Sequence, residues 1–212
     1  MKKHKLMRWI FYFVGIIILT FGARTILLSG LGVGGLDAIA IGLSGIWHMS
    51  IGTFIIILGI VLLIIGSFIN KHIQFTPIVT SIIMGWCYDG WGKLLFERLP
   101  QLTGKGIIGF TFLLGLLIAP IGAALYIISD ISMGPVDYLM LSIKGHSRLS
   151  MQMSRIMIET IFVIIGILVN GPIGIGTICI MLFWGPILQV YCSIGLQTKK
   201  KVEKKRRNHT GK

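Results

Sequence analysis

Arg24, Asp37, Asp137 and Glu159 are ionisable side chains set in stretches that are otherwise largely apolar. Glu159 is the plainest case, in Met157-Ile158-Glu159-Thr160-Ile161-Phe162. A carboxylate among such neighbours must be paired, protonated or solvated, and inside a membrane that requirement marks an ion, proton or substrate contact. Arg155 stands one helical turn earlier, so an i, i+4 ion pair is the alternative to a direct role in a pathway. Arg24 either snorkels toward the outer interface or neutralises an interior acid such as Asp37, Asp89 or Glu159.

The two aspartates occur in related motifs. Gly32-Val33-Gly34-Gly35-Leu36-Asp37 is followed a hundred residues later by Ser132-Met133-Gly134-Pro135-Val136-Asp137. The same ungapped register matches Gly15 to Gly115, Gly22-Ala23 to Gly122-Ala123, Ser29 to Ser129, Ser50 to Ser150, Asn70 to Asn170 and Gly85 to Gly185. Scattered matches of Ile to Ile would follow from apolar composition alone. Gly, Asp, Ser and Asn held in one register do not, and they read as two copies of one unit. The glycines permit tight turns, and each Asp is placed to cap the helix that follows it. Pro135 sharpens the second start by disfavouring helix at Gly134. A repeated cap in a bent loop is therefore one reading of the pair, and an ion, proton or substrate contact is the other.

Other polar positions carry less. Asp89, in Trp86-Cys87-Tyr88-Asp89-Gly90-Trp91-Gly92, sits among aromatic residues suited to an interfacial belt, and its repeat partner is Gln189. Gly174-Ile175-Gly176-Thr177 and Gly185-Pro186 offer small surfaces for close helix packing, and Pro186 can free a backbone carbonyl. Cys87, Cys179 and Cys192 lie singly and give neither a disulfide framework nor a metal site. The five histidines, His4, His48, His72, His146 and His209, fall in tails and connections. No ligand-spaced His or Cys pair, nucleophile elbow or phosphate-binding glycine loop is present, so neither catalysis nor a cofactor or metal is expected.

These residues need elements to hold them, and composition sets the solvent of those elements. Hydrophobic residues make up 54% of the 212 and charged residues 13%, with a mean hydropathy of +0.87. A polytopic, all-α membrane protein follows. The net charge of +13 is concentrated in the two ends. Basic ends beside apolar spans point to anionic lipid as partner and away from nucleic acid. Lys2, Lys3 and Lys5 before an apolar run resemble a signal peptide, but Gly22-Ala23-Arg24 is a poor cleavage region, and retention as the first span is expected.

About six stretches reach the roughly 20 apolar residues a span needs, at roughly 9–29, 50–69, 75–96, 106–128, 151–169 and 174–195. Each half adds a short piece, 36–46 or 136–143, too short to cross at about 1.5 Å per residue. Those pieces are either broken or re-entrant helices or helices at the surface. With both termini in the cytoplasm, Lys2, Lys3, Lys5, Arg8, Lys71, Lys144, Arg148 and the tail fall inside, and Lys93, Arg98 and Lys105 outside. Three spans per unit then force the second copy to enter from the opposite side, giving two three-helix inverted repeats. The expected organisation is a cytoplasmic basic N-terminus over 1–8, a first membrane repeat over 9–100, a second over 101–197 and a basic cytoplasmic tail over 198–212.

The combination of a basic N-terminus, Leu31 to Asp37, Gly134-Pro135-Val136-Asp137, Gly174-Ile175-Gly176-Thr177, Gly185-Pro186 and a basic tail resembles the bacterial YczE/YyaS/YitT family of integral membrane proteins, nearest its YczE-like branch. The likeness spans nearly the whole chain. Gly35-Leu36 stands where that family leads one to expect Pro-Trp. The resemblance implies a bacterial plasma-membrane protein and supplies no substrate. Inverted halves with intramembrane charge favour a small-solute or ion transporter or channel, with Asp37, Asp137, Arg24 and Glu159 as binding candidates. The alternative is a non-transporting membrane scaffold or regulatory subunit, and an embedded enzyme ranks third. A homodimer is compatible with the small-residue surfaces.

Overall fold

The computed structural model describes residues 2–71 and 75–210, with side chains described for 5–71, 75–150 and 152–197. His72 and the basic side chains of Lys2, Lys3 and the run from Lys199 lie outside the described ones. Among the described residues the chain is all helical. Its elements are α1 (Lys2–Ser29), α2 (Gly35–Trp47), α3 (Ile51–Asn70), α4 (Thr76–Leu94), a short 3-10 turn (Phe96–Arg98), α5 (Lys105–Ser129), α6 (Pro135–His146), α7 (Met151–Leu168) and α8 (Ile175–Thr210).

Four helical stretches among the described residues are long and apolar enough to cross a membrane: Lys5–Ser29, Ile51–Asn70, Lys105–Ser129 and Ile175–Gln197. The remaining two of the six expected spans form as α4 and α7 but do not join that set. Their sequences are interrupted by polar residues that the fold turns inward. Thr80 and Ser81 of α4 and Ser154 of α7 are fully buried, and Arg155 and Glu159 occupy the middle of α7. The two short apolar pieces are α2 and α6, and both bury their starts in the bundle, through Gly35, Ala38 and Ile39 in one and Pro135, Tyr138 and Leu139 in the other.

The repeat register reappears as local structure. Ser50 and Ser150 cap α3 and α7 alike, each Oγ accepting the N–H three residues on, from Thr53 and Met153, at 3.1 Å. Ser29 and Ser129 each turn a hydroxyl back to the carbonyl of residue 26 or 126. Gly30 and Asp130 both adopt the left-handed conformation just after α1 and α5.

Helices α1 and α5 are in the closest contact, and glycine makes that possible. A methyl at Gly15 would stand 2.6 Å from Tyr126 N and 2.7 Å from Gly122 O, and one at Gly115 would stand 2.8 Å from Ile26 N and 2.9 Å from Gly22 O. Gly15 therefore faces Gly122 while Gly22 faces Gly115, so the two helices run in opposite directions. The contact is reciprocal under the hundred-residue offset. Where lipid is as apolar as the side chains, this close backbone approach is the main source of helix association.

Packing of the short helices crosses between the halves. Ile39 of α2 shares an apolar cluster with Ile158 and Phe162 of α7, and Leu139 of α6 joins the same cluster with Leu62 of α3. The loop before α2 is tied to the loop before α8. Val33 N–H donates to Pro172 O at 3.2 Å and Gly176 N–H to Leu31 O at 2.8 Å. Gly32, at φ +115°, lies so close to Gly174 that a methyl would come within 2.6 Å of its nitrogen. Thr177 Oγ1 accepts Gly174 N–H at 3.2 Å and closes the turn. Gly176 and Thr177 thus hold the first motif in place.

Candidate functional site

The starts of α2 and α6 meet around a cavity of about 150 Å³. Gly34, Gly35 and Asp37 line it from one motif, and Gly134, Pro135 and Asp137 from the other. Arg155 and Glu159 of α7 complete its charged wall. Of the four ionisable candidates, three line this cavity and Arg24 does not.

Neither aspartate caps its own helix. Gly34 and Gly134 occupy the N-cap positions, and no side-chain cap bond is made at either start. Each Asp falls at the third helical residue instead, inside the first turn, where a negative charge complements the helix dipole. The N–H left without an intrahelical acceptor at the start of α2 is taken by a distant residue. Gly35 N–H donates to Glu159 Oε2 at 3.3 Å, so Glu159 does for α2 what Asp37 was expected to do. Gly35 is needed there, since a methyl would lie 2.7 Å from Phe162 Cβ and 3.1 Å from Glu159 Oε2.

Arg155 is the hub of the charged wall. Its guanidinium pairs with Glu159 at 3.5 Å, the expected i, i+4 bridge, and with Asp137 at 3.3 Å. It also lies 5.8 Å from the centre of the Trp184 ring, within cation–π range. The other Asp137 oxygen accepts the Tyr126 hydroxyl. Both carboxylates on this side are therefore satisfied. Asp37 lines the same cavity with neither a hydrogen bond nor an ion pair among the described residues.

Arg24 lies behind the cavity wall. It is buried and does not snorkel. Its Nε donates to Tyr88 O at 2.9 Å, its guanidinium stacks 4.2 Å from the Tyr88 ring centre, and it faces Asp89 at 3.8 Å. Asp89 in turn accepts Gly52 N–H at 2.7 Å, at the start of α3. Of the three acids offered as its partner, Asp89 is the one it reaches. Gly92 makes the space, because a methyl there would sit 2.8 Å from the guanidinium carbon.

Tyr88 and Tyr126 were not singled out from sequence. Tyr88 stands in a cluster of aromatic residues that suits a membrane interface, yet it is 1% exposed while Trp86 is 72% exposed. Two residues apart on a helix is about 200° of rotation, which separates the two faces. The Tyr88 ring lines the cavity and its hydroxyl has no hydrogen-bond partner.

A second, larger cavity of about 580 Å³ adjoins the first. Asp137, Arg155 and Leu188 line both, so the ion pair stands between them. Thr76, Asp130, Ser132 and Gln152 border the larger space, together with Gly185 and Pro186 of α8. Gly185 is not the helix-packing surface expected of it. A methyl there would meet nothing within 4 Å, because this side of α8 faces the cavity. No group of three His, Cys, Asp or Glu able to hold a metal occurs among the described residues.

Residues 6–193 match a family described as "Family of unknown function (DUF6198)". The chain is 30% identical over 191 residues to "Uncharacterized protein YyaS" of Bacillus subtilis, covering 89% of this chain and 94% of the relative. It is also 30% identical over 191 residues to "Uncharacterized membrane protein YczE" of the same organism, covering 89% and 87%. An "Uncharacterized protein" of Haemophilus influenzae is 24% identical over 177 residues, covering 84% and 79%. No solved structure matches.

Proposed function

The chain belongs to DUF6198, a family of unknown function, and is similar in sequence to YyaS and YczE across most of their length, and from that premise we propose that it is a membrane transporter or channel for a small solute or ion. A membrane location is supported by the four long apolar helices and by the membrane name of the YczE relative. The observation that carries the reading is the meeting of the Asp37 and Asp137 motifs around one cavity. A scaffold needs no such space, and a helix-capping Asp37 would make a hydrogen bond at the start of α2, which it does not among the described residues.

In this reading the halves are inverted repeats, and the antiparallel, reciprocal contact of Gly15 with Gly122 and Gly22 with Gly115 supports it. Secondary transporters place sites where inverted halves meet, at the starts of interrupted helices. The distribution of basic residues supports both termini on the cytoplasmic side of the plasma membrane. The larger cavity, bordered by Thr76, Asp130 and Gln152, then opens to the cytoplasm, and the Arg155–Asp137 pair closes the inner site from it. On the other side the plug is Tyr88, backed by Arg24 and Asp89.

Alternating access tests the reading. In a variant with Cys87, Cys179 and Cys192 replaced by Ser, a Thr20→Cys substitution puts a near-isosteric thiol on the cavity wall. A small thiol reagent is expected to modify it both from outside intact cells and from the cytoplasmic face of inverted vesicles. Modification from neither side, under conditions that label an exposed Arg148→Cys control, overturns transport. Met49→Cys and Arg148→Cys, labelled from opposite faces, test the inverted arrangement while leaving the Ser50 and Ser150 caps intact.

A further inference from the structure

We propose that the inner cavity binds a small organic monocation, an ammonium or amidinium group on a compact apolar body, with Asp37 as counter-ion and the Tyr88 hydroxyl as hydrogen-bond acceptor. The inference rests on reading the cavity as the transport site and names the class of solute.

Charge makes the first selection. Four carboxylates, Asp37, Asp89, Asp137 and Glu159, stand in or against the cavity wall with two guanidiniums, Arg24 and Arg155. Arg155 lies between Asp137 and Glu159, whose remaining oxygens take the Tyr126 hydroxyl and the Gly35 N–H. Of the two carboxylates left over, one is shared within the Arg155 trio and the other is Asp37, which has neither a hydrogen bond nor an ion pair among the described residues. An anion would meet repulsion there, whereas a cation holds Asp37 in its ionised form, which a neutral solute does not do.

The second, independent observation is Tyr88. Its side chain is 1% exposed, lines the cavity and carries a hydroxyl without a partner. A buried hydroxyl in that state carries an uncompensated desolvation cost until something bonds it. An N–H-bearing cation satisfies Asp37 and Tyr88 at once.

Lining and size decide between an organic and an inorganic cation. A bare metal ion needs several oxygen ligands, whereas Leu19, Ile26, Ile55, Met84 and Ala123 make up most of the remaining wall near the first motif. Such a surface suits carbon. At about 150 Å³ the space matches cavities that take a benzene-sized guest, on the order of six heavy atoms.

The test uses three probes of one shape and different charge: isobutyramidinium, isobutyramide and isobutyrate. Each is titrated into the purified full-length protein in nanodiscs while the thermal unfolding midpoint is followed. Isobutyramidinium is expected to raise the midpoint saturably, by about 3–5 °C, with the amide and the carboxylate giving less than a third of that. Asp37→Asn removes the shift, Tyr88→Phe weakens apparent affinity by about tenfold, and Glu97→Gln, an exposed acid on the 3-10 turn that lines neither cavity, leaves it unchanged. Equal stabilisation by the amide or the carboxylate, no shift with the amidinium, or a shift that survives Asp37→Asn overturns the proposal. Should Asp37→Asn fail to fold, Tyr88→Phe decides alone, since it removes only an unbonded hydroxyl. The thiol test at residue 20 needs no ligand, so an accessible cavity that ignores the amidinium sinks the solute class and leaves the transport reading standing.

Discussion

The starts of α2 and α6 share a plan and are finished differently. Both have Gly at the N-cap and Asp at the third helical residue. At the first residue α2 has Gly35, whose N–H donates to Glu159, whereas α6 has Pro135, which has no N–H to satisfy. The position matching Glu159 in the first half is Gly59, and the Pro135 ring lies 3.5 Å from where a side chain would begin. Donor and acceptor are present together or absent together, which is the arrangement that leaves neither stranded. At the aspartates the matching stops. Asp137 has Tyr126 and Arg155, while the positions a hundred residues earlier hold Ile26 and Ile55, which line the cavity beside Asp37. Two similar frames therefore hold one carboxylate with partners and one without a hydrogen bond or ion pair among the described residues, and the proposed ligand would meet the second.

The largest effect is expected where that contrast is most concentrated. Arg155→Met withdraws the guanidinium from between Asp137 and Glu159 and is expected to destabilise by about 3–5 kcal/mol, the usual result of stranding a buried charge. Titrating the purified protein in mixed micelles with sodium dodecyl sulfate reads the loss. Adding Asp137→Asn and Glu159→Gln to the same chain should recover most of it, and a loss below about 1 kcal/mol would mean the acids are solvated. Asp137→Asn alone comes next, at about 1–3 kcal/mol, since it weakens the bonds to Tyr126 and Arg155 together. Ser50→Ala and Ser150→Ala test the shared frame, and each should cost about 1 kcal/mol. Unequal losses there would break the comparison at its base.

Much of this frame was legible in the sequence. The serines at 50 and 150 repeat because each makes a local cap that the second copy makes again, and the glycines at 15, 22, 115 and 122 repeat because the two copies meet there in one reciprocal contact. Asp37, Asp137 and Glu159 stood out because charge in apolar surroundings is rare whatever the fold. The joining of these residues was not legible. Arg155 reaches Glu159 within one helix, which spacing predicts, but its bond to Asp137 depends on how α6 lies against α7. Glu159 caps a helix that begins 124 residues earlier, and no local pattern records that. Tyr88 was hidden by composition, because Trp86 and Trp91 beside it make the stretch look interfacial. Gly185 misled for the opposite reason: small residues permit close packing without requiring it, and here the side chain's absence opens a cavity.

The smallest stability change is expected at Asp37, and its size is the sharpest test of the contrast. If Asp37 were a structural acid like Asp137, Asp37→Asn would destabilise by a similar amount, about 1–3 kcal/mol. With no hydrogen bond or ion pair to lose among the described residues, the substitution instead removes a desolvated acid at the start of α2. A favourable interaction with the helix start, about 0.3–1 kcal/mol, is lost in exchange. The two effects oppose each other, so the unfolding curve should move by less than about 0.5 kcal/mol, in either direction. The same variant should lose the amidinium response entirely. A residue that matters little to the fold and wholly to binding is held for a partner the chain does not contain. A large loss of stability at Asp37 would instead give it a structural bond like that of Asp137 and erase the difference between the two halves.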